Sequence, residues 1–139
     1  LPELVPDAVQ TLSVEELRAC GLSARKVEYI VDLAAHFVAG RIRVDAWPSM
    51  EDAAIIAELT DVRGIGEWTA QMFLIFNLLR PDVLPLDDIG LQKAVATLYF
   101  ADQRPSRRQL AELGERWRPW RSVATWYLWR SLDPVPVEY

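Results

Sequence analysis

Two glycines separated by one residue, Gly64 and Gly66, stand directly before a stretch with the apolar spacing of a helix. Such a turn uses backbone conformations that glycine adopts readily, and it leaves little side-chain bulk between the backbone and a neighbouring group. At the beginning of a helix, unpaired amides and the positive end of the helix dipole point the same way. The spacing therefore predicts a turn that binds a phosphate.

Two adjacent carboxylates, Asp87 and Asp88, follow Pro85, and the second lies twenty residues beyond Trp68. An aspartate directly before a helix accepts hydrogen bonds from the first-turn amides and offsets the helix dipole. Either residue could therefore cap the next helix. We expect replacement of Asp87 to cost mainly such a cap.

Together, the hairpin Gly64-Ile65-Gly66 and the segment Pro85-Leu86-Asp87-Asp88 resemble the helix-hairpin-helix plus Gly/Pro…Asp signature of the DNA glycosylase superfamily. The chain is most similar to the alkylation-repair branch, the 3-methyladenine DNA glycosylase II type. A lone Gly-x-Gly is weak evidence, but two motifs at this distance are specific. The resemblance implies one glycosylase domain over residues 1–139, with the hairpin and catalytic segment over residues 59–95.

The resemblance implies a monofunctional enzyme that hydrolyses the N-glycosidic bond of alkylated purines, such as 3-methyladenine, in double-stranded DNA. Departure of a base leaves positive charge at the sugar C1′, and a nearby carboxylate stabilises that charge and activates a water. The signature assigns this role to Asp88, in preference to Asp87. Bifunctional members carry a lysine where this chain has Trp68, and its two lysines, Lys26 and Lys93, lie elsewhere.

A base that has left the stack must be held, and an indole face attracts a cationic alkylated base by about 0.5 to 2 kcal/mol. Trp68 and Trp129 match pocket positions of the resembled family, whereas Met72 stands where its best-known pattern has a tyrosine. Core packing is the alternative role for each tryptophan.

The resemblance also assigns backbone groups of the hairpin to DNA. The amides of Gly64, Gly66 and Thr69 would meet a phosphate directly and position the duplex without reading its sequence. The carbonyls of three residues would hold a monovalent cation, Na⁺ or K⁺, that bridges to the phosphate: Thr60, Val62 and Ile65.

Two other functions are compatible with these motifs. A non-catalytic helix-hairpin-helix DNA-binding module would need the hairpin but not Pro85 and Asp88 at their spacing. An inactive glycosylase fragment is the second alternative, because the resembled family has further helices before the position of Leu1. With those helices absent and the stretch Trp68 to Leu79 nearly all apolar, we expect weak activity and self-association or marginal stability.

Composition narrows the remaining possibilities. The 139 residues, 51% of them hydrophobic, are enough for one domain with a sizeable core. The single cysteine, Cys20, excludes an internal disulfide and a four-cysteine iron–sulfur cluster, and with one histidine a zinc site is not expected. No run is long enough to cross a bilayer, so we expect an intracellular protein, in the bacterial cytoplasm or the eukaryotic nucleus.

Net charge, at −5, argues at first against a nucleic-acid partner. Its distribution weakens that objection. Residues 1–61 hold eleven acidic and five basic side chains, whereas residues 101–130 hold seven arginines and three acidic side chains. The chain could therefore present a basic face to DNA, although ordinary solvated helices explain the same pattern.

Apolar residues recur at helical spacing along the chain, and no stretch alternates with period two, so the pattern predicts an all-α fold. An extended lead-in is expected over residues 1–7, and Ser13, Ser23, Ser49 and Ser106 are the expected helix caps. The predicted helices cover residues 14–20, 24–39, 50–59, 68–79, 89–100, 107–117 and 119–131.

Overall fold

The computed structural model describes residues 3–133, and every regular element within them is helical, which confirms the all-α prediction. This part of the chain divides into two compact units, the first ending at Ala70 and the second beginning at Gln71. The α-helices are α1 Pro6–Gln10, α2 Val14–Ala19, α3 Ala24–Val38, α4 Asp52–Thr60, α5 Glu67–Phe76, α6 Ile89–Tyr99, α7 Arg107–Glu115 and α8 Arg121–Arg130, and a 3₁₀-helix covers Val44–Ser49.

Several helices begin where a serine satisfies a first-turn amide. The Ser13 hydroxyl accepts the Glu16 amide and the Glu16 carboxylate accepts the Ser13 amide, which is a capping box. Ser106 makes the same pair with Gln109 before α7. Ser23 caps α3 through the Lys26 amide. These three starts were correctly predicted, because the partners of a capping bond lie within one helical turn.

Two elements of the first unit differ from the prediction. Helix α1 begins at Pro6, inside the expected extended lead-in, and packs against α3 with Val9 buried. Proline at a first helical position loses no intrahelical bond, so Pro6 begins this helix. The Ser49 hydroxyl donates to the Ala46 carbonyl and therefore ends the 3₁₀-helix, while α4 begins at Asp52.

Two further boundaries differ in and around the second unit. Helix α5 ends at Phe76, before the predicted Leu79, because the Leu78 amide bonds the Phe73 carbonyl, five residues back, and not the Leu74 carbonyl that a continuing helix would offer. Helix α8 begins at Arg121, so Pro119 precedes the helix instead of occupying its first turn. The Arg118–Pro119 peptide bond is cis.

Helices α6, α7 and α8 form the core of the second unit. Its fully enclosed side chains are Leu91, Ala94 and Val95 of α6, Leu110 of α7 and Leu128 of α8. Burying a side chain of the size of leucine contributes about 1.5 to 3 kcal/mol, so this cluster supplies much of the unit's stability. Because α6 packs on α8, the beginning of α6 has a fixed position beside α8.

The loop between α5 and α6 is fastened to the beginning of α8. Ser122 donates its hydroxyl to the Arg80 carbonyl at 2.6 Å and accepts the Val83 amide at 2.9 Å. Asp82 accepts the Arg121 guanidinium at 2.7 Å and the Arg121 amide at 3.2 Å. Burial alone would raise the pKa of Asp82, but these hydrogen bonds outweigh it and hold that pKa below its ordinary value.

We expect Ser122→Ala to lower the free energy of unfolding by about 1 to 3 kcal/mol, because the change leaves two backbone groups of a buried loop without their partner. Urea unfolding measures this loss. The exposed Ser49, which makes one hydroxyl bond, is the control, and Ser49→Ala should cost no more than about 0.5 kcal/mol. Equal costs at the two positions would contradict the role given to Ser122.

Candidate functional site

Asp88 is the residue that caps α6. Its backbone is extended, with φ −72° and ψ 119°, and its Oδ2 accepts the Leu91 amide at 2.6 Å. The residue is 8% exposed, so the carboxylate lies largely away from water. A carboxylate at a helix N-terminus is stabilised by the first-turn amides and by the helix dipole.

The same oxygen of Asp88 accepts a second hydrogen bond from a distant part of the second unit. The Trp129 indole on α8 donates from Nε1 to Oδ2 at 2.7 Å. Gly90 makes this approach possible, since a β-carbon there would lie 3.0 Å from Trp129 Cδ1 and 3.2 Å from Asp88 Oδ2. The structure therefore brings together two of the predicted site residues, Asp88 and Trp129.

Phe76, which the sequence analysis missed, extends this cluster. Its ring stacks on the Trp129 indole with centroids 5.7 Å apart and an angle of 12° between the planes. Phe76 is also 61% exposed at the end of α5. The apolar run of α5 contained Phe76, but spacing within one helix does not show which ring meets a residue of α8.

Asp87 has a different environment from its neighbour. Its carboxylate pairs with the Arg107 guanidinium of α7, and both side chains are more than half exposed. An exposed ion pair of this kind contributes little to stability. The expectation that Asp87 serves as a helix cap is therefore wrong, because Asp88 holds that position.

In the first unit, the hairpin joins α4 to α5. Gly64 has φ +85°, a conformation that favours glycine, and a β-carbon there would lie 2.4 Å from the Tyr29 ring. Gly66 is not among the residues with positive φ, so only one of the two glycines leaves the usual backbone regions. A β-carbon on Gly66 would meet nothing within 4 Å, which leaves open space beside its backbone.

Backbone groups of the hairpin fall into two sets. The amides of Arg63 and Ile65 donate within the first unit, to Asp32 and to Val62 respectively. Among the described residues, no acceptor faces the amides predicted to meet a phosphate, those of Gly64, Gly66 and Thr69. Three unsatisfied amides at the beginning of a ten-residue helix are compatible with an anion.

The carbonyls predicted to hold a cation show a related pattern. Val62 accepts the Ile65 amide at 3.2 Å, whereas Thr60 and Ile65 accept no backbone amide within residues 3–133. Carbonyl oxygens are ligands that hard cations prefer, so two of the three predicted carbonyls keep a lone pair for such a ligand within this part of the chain. The described residues contain no group of three or more His, Cys, Asp and Glu side chains that could hold a metal.

The other two predicted pocket residues lie on α5, one helical turn apart. Trp68 is 47% exposed and Met72 is half-buried. Exposure of Trp68 shows that it is not a fully packed core residue.

None of the helices in the described part of the chain is long and apolar enough to span a membrane.

The helical fold, the glycine hairpin and the aspartate at a helix N-terminus are the features on which the sequence resemblance rests. Residues 3–119 match the model of the family described as HhH-GPD superfamily base excision DNA repair protein. The chain therefore belongs to the HhH-GPD superfamily, as its sequence motifs had indicated.

Three relatives give the similarity in detail. DNA-3-methyladenine glycosylase 1 of Schizosaccharomyces pombe is 34% identical over 91% of this chain and 56% of its own length. The crystal structure of a Bacillus halodurans DNA-3-methyladenine glycosidase superposes with a TM-score of 0.87 at 37% identity, covering 94% of this chain and 60% of that one. The S. pombe enzyme Mag1 in complex with abasic DNA superposes with a TM-score of 0.79 at 32% identity, covering 96% and 66% respectively. The chain spans about half the length of the curated relatives that it matches.

We expect Asp88→Ala to lower the free energy of unfolding by about 1 to 3 kcal/mol, because it removes a helix cap and the acceptor of a buried indole N–H. Asp88→Asn should be nearly neutral, since an asparagine oxygen can accept both bonds. Asp87→Ala, which breaks an exposed ion pair, should cost no more than about 0.5 kcal/mol. Urea unfolding of the three variants checks this order, and a loss at Asp87 equal to that at Asp88 would contradict it.

Gly64→Ala should destabilise the first unit by roughly 1 to 3 kcal/mol, because the new β-carbon overlaps the Tyr29 ring and alanine disfavours positive φ. Gly66→Ala has open space and an ordinary φ, so its thermal midpoint should stay close to that of the unaltered chain. Thermal unfolding followed by circular dichroism compares the two. If both substitutions lowered the thermal midpoint by similar amounts, the space beside each glycine would not determine how much stability its replacement costs.

Proposed function

We propose that this chain is a DNA glycosylase that hydrolyses the N-glycosidic bond of alkylated purines, such as 3-methyladenine, in double-stranded DNA. The observation that carries the proposal is the buried Asp88 carboxylate, held by the Trp129 indole at the beginning of α6. Membership of a base-excision repair family and the names of its relatives, DNA-3-methyladenine glycosylases, support it. The S. pombe relative is bound to abasic DNA, which is DNA from which a base is missing.

In this proposal Asp88 is the catalytic carboxylate. As the glycosidic bond lengthens, positive charge develops at C1′ of the deoxyribose, and a nearby negative charge lowers the energy of that state. The effect is larger where water is excluded, and Asp88 is largely buried. Trp68 stands where a lysine would be needed for an amine nucleophile, so the nucleophile in this proposal is water. The Asp88 carboxylate orients or deprotonates that water.

Trp129 has two parts in this mechanism. Its N–H fixes the rotation of the Asp88 carboxylate, so little reorganisation is needed when charge develops. The resemblance also assigns its indole to the contact with the flipped base. Alkylation at a ring nitrogen makes many damaged purines cationic, and indole faces attract cations more strongly than they attract neutral bases.

The hairpin is the proposed contact with the DNA backbone. The amides of Gly64, Gly66 and Thr69 would donate to one phosphate, and this contact is independent of the base sequence. The carbonyls of Thr60, Val62 and Ile65 would hold Na⁺ or K⁺, which supplies positive charge beside that phosphate. Residues 101–130 hold seven arginines against three acidic side chains, so this stretch carries positive charge within a chain that is negative as a whole.

Exposed apolar side chains of the second unit support a further part of the proposal, that the chain associates with itself. Leu79 is 76% exposed, and Val123, Trp126 and Tyr127 of α8 are exposed as well. Apolar surface left in water favours association. This surface is distinct from the hairpin, which belongs to the first unit.

We expect Asp88→Asn to abolish the release of free base from a duplex with one alkylated purine, while the dissociation constant for that duplex changes by no more than a few-fold. The carboxylate acts on a charge that develops only in the transition state, so its loss affects turnover and not binding. Single-turnover release of the base and fluorescence anisotropy of a labelled duplex measure the two quantities.

Gly66→Ala is the matched control, because it should weaken binding to damaged and undamaged duplexes equally by adding bulk beside the phosphate contact. If Asp88→Asn weakens binding and turnover equally, Asp88 is not the catalytic carboxylate. If the unaltered chain binds duplex DNA but releases no base from it, the chain is a DNA-binding module and not an enzyme.

A further inference from the structure

The single histidine of the chain, His36, lies buried on α3 between two oxygen atoms. Its Nδ1 is 2.8 Å from the backbone carbonyl of Asp32, and its Nε2 is 3.0 Å from Oδ2 of Asp61. Both distances are those of ordinary hydrogen bonds. The imidazole is therefore bonded at both nitrogens.

Neither partner of His36 can supply a proton. A backbone carbonyl only accepts, and a carboxylate such as that of Asp61, which is 62% exposed, accepts as well. Each ring nitrogen must therefore donate, and only the doubly protonated imidazolium has two N–H groups. The geometry consequently assigns a positive charge to His36.

Asp61 and the side chain of Asp32 are connected to the hairpin, whereas the Asp32 carbonyl belongs to α3 itself. Asp61 follows the last residue of α4 and begins the turn that leads to Gly64. Asp32 accepts the Arg63 amide on Oδ2 at 2.8 Å, and the same oxygen lies 3.6 Å from His36 Nδ1. The imidazole on α3 thus bonds Asp61 directly, and its charge attracts the Asp32 carboxylate that accepts the Arg63 amide, directly before the glycine with positive φ.

Few other charges act on the imidazole. Arg41 approaches Asp61 from the far side at 3.9 Å. Helices α1 and α2 also pack on α3, but within the described part of the chain neither places a charged side chain at ion-pair distance from the ring. The bond to the Asp32 carbonyl is the main cause that raises the pKa of His36; burial opposes it, and the bond to Asp61 adds to it.

We propose that protonated His36 is a positioning residue, which holds the hairpin in the conformation that binds a DNA phosphate. The inference rests on the proposed function of the hairpin as the contact with the DNA backbone. A neutral imidazole has one N–H, so one of the two acceptors loses its donor and faces a ring lone pair instead. In either neutral tautomer the carboxylates of Asp32 and Asp61 lose the positive charge that attracts them, so the hairpin is held less firmly at residues 61 and 63 and its amides converge less well on one phosphate.

The sign of the pH dependence follows from this geometry. The folded chain binds the proton more tightly than an unfolded chain, whose histidine has its ordinary pKa of about 6.5. The contribution of the His36 proton to the free energy of unfolding is therefore complete below a pH of about 6.5. This contribution is lost as the pH rises through the higher pKa of His36 in the folded state. Affinity for duplex DNA should fall over the same interval, for damaged and undamaged duplexes alike.

The test is the affinity of the 139-residue chain for an undamaged labelled duplex between about pH 6 and 9 at constant ionic strength. We expect the affinity of the unaltered chain to fall roughly five- to tenfold across this range. His36→Gln, which is neutral and has one amide donor group, should bind weakly at every pH. Arg41→Gln, which removes a positive charge near Asp61, should lower the affinity by a constant factor and keep the pH dependence.

A second measurement needs no variant. Because the chain has one histidine, a single imidazole signal in the proton NMR spectrum reports its titration. If the protonated form binds DNA more tightly, saturation with the duplex must raise the pKa of His36, by about one pH unit for a tenfold preference. This result is required even if His36→Gln fails to fold.

An unchanged pKa of His36 on DNA binding, or a flat affinity profile of the unaltered chain, would overturn the inference. So would a chain that binds no duplex at any pH. The release of alkylated base is measured separately on the same samples. If the affinity depends on pH but no base is released, the proposed enzyme activity is refuted and the role of His36 in DNA binding remains. Failure of the proposed activity and failure of the role of His36 therefore give different results.

Discussion

The Oδ2 atom of Asp88 accepts two hydrogen bonds, and the arrangement of the second unit depends on both. One bond, from the Leu91 amide, fixes the beginning of α6. The other, from the Trp129 indole, fixes the approach of α8. Because Gly90 has no side chain, the indole and the carboxylate reach hydrogen-bond distance without displacing the helix between them. The carboxylate proposed for catalysis is thus also a structural group, which explains why its rotation is restricted.

Hydrogen bonds in the first unit serve the hairpin in a comparable way. Asp32 accepts the amide of Arg63, and the carbonyl of Val62 accepts the amide of Ile65. The amides between and after them, those of Gly64 and Gly66, have no acceptor among the described residues. Because hydrogen bonds within the first unit hold the amides of Arg63 and Ile65, the amides of Gly64 and Gly66 keep a constant geometry. Such preorganisation would lower the entropy cost of the proposed contact with a phosphate.

Acidic residues of the first half have specific internal partners, which reconciles the net charge with a nucleic-acid partner. Glu58, for example, accepts the Trp47 indole at 2.9 Å and the Arg43 guanidinium at 2.5 Å. Asp32 and Asp61 likewise face the His36 cation. Net charge counts such carboxylates fully, although paired charges contribute little to the field at a distance. The sum of charges along a chain is therefore a poor guide to the surface that meets DNA.

Local interactions were determined by the sequence alone. The all-α fold, the caps at Ser13, Ser23 and Ser106 and the positive φ of Gly64 follow from residues within a few positions of each other, since capping and turn geometry act over one helical turn. The candidate role of Asp88 was instead implied by the resemblance of two motifs to a known family. The choice between Asp87 and Asp88 as the cap did not follow, because both have the same chemistry. It was decided by Trp129, which lies 41 residues beyond Asp88 and reaches it only when α8 packs on α6. The stacking of Phe76 on Trp129 and the two acceptors of His36 depend likewise on how helices pack, and side-chain spacing along one helix carries no information about the residues of another.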